Sequence, residues 1–141
     1  MLVCHDVQGE IAFCRDSFDA VELGNRAGQD GKIVHALLSI KGAMVIIEGE
    51  WPGLASHPPR SDGSSPVVIF IYVTNVDDVV TRAVKCGARI LLPIANQFWG
   101  DRTCRIIDPA GHVWIIATRI EETSAAQRDD RWSRIVEEAG N

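Results

Sequence analysis

Ile11 and Val79 stand 68 residues apart, and so do Ala20 and Ala88. Around each pair the chain runs through the same order of periodicities: a strand, an amphipathic helix, then three strands. A repeated supersecondary unit restricts the architecture more than composition does, because each copy must bury its apolar face against something. Residue identity between the copies is slight, so the repeat lies in the order and spacing of the elements.

The second copy is the clearer one. Residues 67–73 form a continuous apolar, β-branched run, which predicts a buried strand. Val76, Val79, Val80, Ala83 and Val84 then recur at helical spacing. Thr74 or Asn75 can cap that helix, Asp77 and Asp78 suit its positive end, and Gly87 stops it. Strands are predicted over 89–92, 102–107 and 112–118. A loop broken by Pro93 separates the first two, and the turn Asp108-Pro109-Ala110-Gly111 separates the last two. The first copy opens with a short strand. Asp6 then caps a helix with Val7, Ile11, Cys14 and Phe18 on its inner face, and strands follow over 20–24, 32–40 and 43–48. The fold class predicted is α+β. Two βαβββ modules, about 1–50 and 66–119, form cupped, mostly antiparallel sheets with helices outside, within one domain spanning 1–120.

Residues 51–66 join the modules with a Pro/Gly/Ser-rich linker. A charged tail over 121–141 carries Trp132, Ile135 and Val136 at helical spacing, which predicts a C-terminal helix with one narrow apolar stripe. The net charge of −5 argues against a nucleic-acid partner, and no apolar run is long enough to span a membrane. The four cysteines form no C-x-x-C pair, and the first residues lack the basic start and apolar core of a signal peptide. A reducing, cytoplasmic setting is expected.

With two such modules in view, three passages resemble the vicinal oxygen chelate superfamily of glyoxalase I, bleomycin-resistance proteins and extradiol dioxygenases. They are Glu10-Ile11-Ala12-Phe13 through Phe18-Asp19-Ala20, Gln97-Phe98-Trp99-Gly100-Asp101-Arg102, and Asp108-Pro109-Ala110-Gly111-His112-Val113-Trp114. Together these motifs point to a bacterial glyoxalase/bleomycin-resistance-like subgroup. The resemblance implies paired modules, often shared between the subunits of a homodimer, around a small-molecule site. It also implies metal-ligand positions, which fall at or just before Met1 and near Ile46, Val68 and Ile115. These three aliphatic side chains offer no N, O or S donor, so no metal and no other cofactor is expected.

Strand parity extends the reading. If Ile46, Val68 and Ile115 face the cup, so do Met44, Glu48, Phe70, Tyr72, Val113 and Ala117. His35 joins them with Leu37 and Ser39, as either a ligand contact or a hydrogen-bonded structural histidine. Phe98, Trp99 and Arg102 can stack on a flat ligand and hold an anion. The alternative is a loop anchored by aromatic burial, with Arg102 paired to Asp101 or Asp108. The expected ligand-binding set is therefore His35, Glu48, Phe70, Tyr72, Phe98, Trp99 and Arg102. Three functions remain open on the sequence. One is a metal-free homodimeric binder of a small aromatic or cationic molecule. Another is a metal-dependent lyase, isomerase or dioxygenase with non-standard ligands, His35 and Glu48 among them. The third is an interaction module without a small ligand.

Overall fold

The computed structural model describes residues 1–60 and 62–140. The elements run β1 (Leu2–Cys4), α1 (Val7–Phe18), β2 (Val21–Ala27), β3 (Ile33–Ile40), β4 (Ala43–Gly49), β5 (Val68–Tyr72), α2 (Val76–Lys85), β6 (Arg89–Asn96), β7 (Asp101–Ile107), β8 (Val113–Arg119) and α3 (Ala125–Ala139). The strand orders are β1-β4-β3-β2 and β5-β8-β7-β6, so the two sheets have one topology. In each, the first strand pairs in parallel with the last and the other pairings are antiparallel. This is an α+β fold of two βαβββ modules followed by a C-terminal helix.

Local chemistry sets the helix ends. The Asp6 side chain accepts from Gly9 N at 2.9 Å, and Asn75 rather than Thr74 caps α2. Asp19 closes α1 in the left-handed region, at φ 57°. Its carboxylate receives Arg82 of α2 at 2.6 and 3.0 Å and Lys41 at 3.4 Å, which hold its pKa down at about 2.

Helices α1 and α2 each cover one face of the sheet of their own module, and α1 packs on α2, so both modules feed one core. Phe18 and Trp114 meet there with ring centroids 4.8 Å apart. Burying such aliphatic and aromatic side chains contributes about 1.5–3 kcal/mol each. A second junction joins the start of β8 to β1, where the His112 ring lies 3.1 Å from the Val3 carbonyl and 3.6 Å from Cys4 Sγ. Among the described residues, no strand of one sheet pairs with a strand of the other.

Two strands run three or more residues past the sequence expectation. β2 runs on to Ala27 through a register shift between Glu22 and Gly24. β6 runs through Pro93 to Asn96, because it is an edge strand with a register shift between Leu92 and Ala95. A proline costs no ladder bond at such a position. No helix among the described residues is long and apolar enough to cross a membrane.

Candidate functional site

Parity divides each sheet into a helix-covered face and an open one. Ala36, Leu38, Ile40 and Ile47 are buried under α1, as Cys104, Ile106, Trp114 and Ile116 are under α2. The alternate residues lie on the open faces.

On the first sheet, cross-strand pairing sets His35 opposite Glu48, Leu37 opposite Ile46 and Ser39 opposite Met44. His35 Nδ1 lies 3.5 Å from Glu48 Oε1. A shallow cleft of about 290 Å³ beside them is lined by Leu23, Gly24, Asn25, Arg26, His35 and Leu37.

On the second sheet, Val68, Phe70 and Tyr72 of β5 lie opposite Val113, Ile115 and Ala117 of β8. The Phe70 and Tyr72 rings sit 5.2 Å apart and are 46% and 49% exposed. Beside them Asp101, fully buried, gathers three donors. Tyr72 Oη and Trp99 Nε1 each donate to its Oδ2 at 2.8 Å, and Arg119 Nε donates to Oδ1. Arg119 also donates to Tyr72 Oη at 2.9 Å. Burial alone would raise the Asp101 pKa; the bonds from Arg119, Tyr72 and Trp99 outweigh it and hold the pKa below the ordinary value. The network fixes Tyr72 on the open face.

The motif around Phe98 serves mainly as a clamp. Phe98 packs between Trp99 and Trp132 of α3, at centroid distances of 5.0 and 5.3 Å. Its carbonyl accepts from Arg131 at 3.1 Å, and the Trp99 carbonyl accepts from Thr123 at 2.9 Å. Gly100, at φ +99°, leaves no room for a Cβ against the Glu121 carbonyl. Arg102 does not join the open face. It points to the helix side of β7 and bonds Asp77 at 2.8 and 2.9 Å and Asn96 at 2.9 Å. In the alternative reading, Arg102 pairs with Asp101 or Asp108; its partner is instead Asp77, since Arg102 and Asp101 are strand neighbours on opposite faces. Asp108 instead accepts from Trp114 Nε1 and His112 N.

The open faces thus carry His35, Glu48, Phe70 and Tyr72, with Trp99 at the edge of the second; Phe98 and Arg102 lie apart. Missed by the sequence reading was Arg105, the cross-strand partner of Ile115. The same parity count that placed Ile115 would have found it. Within one chain the clefts on the two faces stay separate, the second being lined by residues of the second module only.

Ile46, Val68 and Ile115 all lie on open faces and present only hydrocarbon. Among the described residues no group of three or more His, Cys, Asp or Glu side chains is placed to hold a metal ion. A four-ligand site at the positions the resemblance implies does not fit these side chains.

A family model for the glyoxalase/bleomycin resistance protein/dioxygenase superfamily matches residues 1–116. The chain belongs to this superfamily. It is 40% identical over 126 residues to uncharacterized proteins of Mycobacterium bovis and Mycobacterium tuberculosis, covering 87% of this chain and 83% or 74% of theirs. Among solved structures it resembles TioX from Micromonospora sp. ML1, with a TM-score of 0.67, 23% identity, and coverage of 84% of this chain and 94% of TioX. It also resembles a point mutant of the fosfomycin resistance protein FosX from Listeria monocytogenes in complex with manganese and a dihydroxypropylphosphonic acid. That match has a TM-score of 0.63 at 18% identity and covers 93% of this chain and 92% of FosX. At these identities the two structures share the fold.

Proposed function

We propose that this member of the superfamily binds a small aromatic molecule on its open sheet faces, without a metal, with a second copy of the chain completing each site. The observation that carries the reading is the Phe70–Tyr72 pair. Two aromatic rings left half exposed and braced by a buried carboxylate form a preorganised stacking surface. Exposed apolar residues extend it on both sheets: Val21, Leu23 and Met44 on the first, Val68 and Leu92 on the second. Apolar surface of this extent favours covering by a partner. A cationic ligand has less to meet, because Asp101 already serves three donors and Glu48 faces His35. The four free cysteines agree with a reducing, cytoplasmic setting.

Equilibrium dialysis against 1-naphthamide, a neutral planar probe, tests the reading. Saturable binding is expected, weakened about tenfold or more in Phe70→Ala, since stacking and burial on one ring contribute more than about 1.4 kcal/mol. No saturable binding, or binding indifferent to Phe70, overturns it.

A metal-dependent lyase or dioxygenase is the second reading, and the His35–Glu48 pair favours it. Elemental analysis of protein purified without chelator decides between the two. A stoichiometric transition metal lost in His35→Ala would replace the binding reading.

A further inference from the structure

Arg105 lies on the open face of the second sheet, in one row with Ile115 and Phe70 across β7, β8 and β5. Its Nε is buried and meets no acceptor. Most basic side chains here are matched: Arg82 with Asp19, Arg102 with Asp77, Arg119 with Asp101 and Arg131 with Glu121. Among the described residues, Arg26, Lys85, Arg89, Arg105 and Arg128 pair with no carboxylate; Arg26 donates to the Asn25 carbonyl and Arg128 to Thr123, and of the remaining three only Arg105 is partly buried. Thr103, two residues along the same face, already receives Gln97 at 2.9 Å. A cleft of about 140 Å³ opens in front of the guanidinium, between Leu92, Trp99 and Ile115. Buried polar groups are nearly always paired, and a half-buried cation in an acidic chain is costly unless something claims it.

Resting on the binding reading above, we infer that the ligand is an aromatic carboxylate whose oxyanion Arg105 receives. The row supplies the geometry. Neighbouring strands lie about 4.8 Å apart, so Arg105 and Phe70 are about 10 Å apart at the backbone, the span of a fused two-ring acid. The guanidinium fork matches a carboxylate with two parallel bonds, while Ile115 and Phe70 receive the ring.

Three probes on one naphthalene ring test this by calorimetric titration: 1-naphthoate, 1-naphthamide and 1-naphthylmethylammonium. The naphthoate is expected to bind about tenfold or more tightly than the amide, with the ammonium weakest. Arg105→Gln brings naphthoate within about twofold of the amide measured on the same variant, whereas Arg105→Lys keeps part of the preference as a point charge. Thermal melts of both variants establish that they fold. A naphthoate no better than the amide, or a preference that survives Arg105→Gln, overturns the assignment while the binding reading stands. Loss of preference together with weaker self-association in Arg105→Gln assigns the cation to a partner's acid and also overturns it. Binding of none of the three probes removes the binding reading itself, and this inference with it.

Discussion

Asp101 and Glu10 are both buried acids, and they solve burial in opposite ways. Asp101 receives Tyr72, Trp99 and Arg119, and its pKa is held below the usual value. Glu10, on the inner face of α1, has a distant thiol donor in Cys14 at 3.6 Å, and its Oε2 meets no donor. Its surroundings are apolar core plus a second acid, Asp108. Burial first, and Asp108 next, push its pKa up to about 9. Asp101 is therefore a charged brace for the open face. Glu10 is a neutral acid inside the junction of the two modules. The same side-chain chemistry serves as anchor in one place and as proton store in the other, according to which donors the fold supplies.

The largest expected effect comes from removing the anchored acid. Asp101→Ala leaves the Trp99 N–H and Arg119 without their acceptor and should cost about 3 kcal/mol of unfolding free energy. Urea unfolding at pH 7 measures it, and a loss below about 1 kcal/mol would mean that Asp101 anchors nothing. The variant should also loosen Tyr72 and weaken aromatic binding.

Glu10 gives the next effect, with its sign set by the proton. A folded pKa of about 9 against 4.5 for the ordinary carboxyl means the native state holds the proton more tightly than the unfolded chain. That contribution is complete below pH 4.5 and is lost as the pH rises through about 9. The stability of the native chain should therefore decline from pH 6 to pH 9. Glu10→Gln keeps a neutral donor beside Asp108, so it should flatten the decline and be more stable than the native chain at pH 9 by about 2 kcal/mol. Parallel pH profiles for the two proteins would show that Glu10 is ionised throughout and dissolve the contrast with Asp101. At acid pH the order reverses: the Asp101 contribution is present above the ordinary carboxyl range and fades as the pH falls through its depressed pKa.

The sequence made parity legible but not partnership. The repeat at 68 residues carries into two sheets of identical strand order. Alternation put His35, Glu48, Phe70 and Tyr72 on open faces because one buried face per sheet fixes every second residue. Partners separated by tens of residues carry no such periodicity. Arg102 pairs with Asp77 on α2, and Asp101 with Arg119 at the end of β8. Each link depends on how a helix or strand end is set in space, so the sequence alone associates Arg102 with its neighbours Phe98 and Trp99. The burial of Glu10 is illegible in the sequence for a related reason. A glutamate on an amphipathic helix ordinarily marks the solvent side, whereas α1 is buried on two sides, by its own sheet and by α2.

The smallest effect comes from thinning the anchor rather than removing it. Tyr72→Phe deletes one of three donors to Asp101 and keeps the ring on the open face. Asp101 retains Trp99 and Arg119, and Arg119 loses only its second acceptor, so the expected cost is about 0.5–1 kcal/mol. The ring's stacking partner Phe70 is untouched, so the affinity for 1-naphthamide should stay within about twofold of the native value. The charge on Asp101 is then shared between two donors instead of three, and its pKa should move up toward the ordinary value. The acid limb of a pH–stability profile would accordingly begin at higher pH than in the native chain. A loss as large as that of Asp101→Ala would show that the hydroxyl, and not the carboxylate, is the indispensable member. The contrast would then lie between a half-exposed tyrosine bridge and a buried acid, with Arg119 bound chiefly to Tyr72.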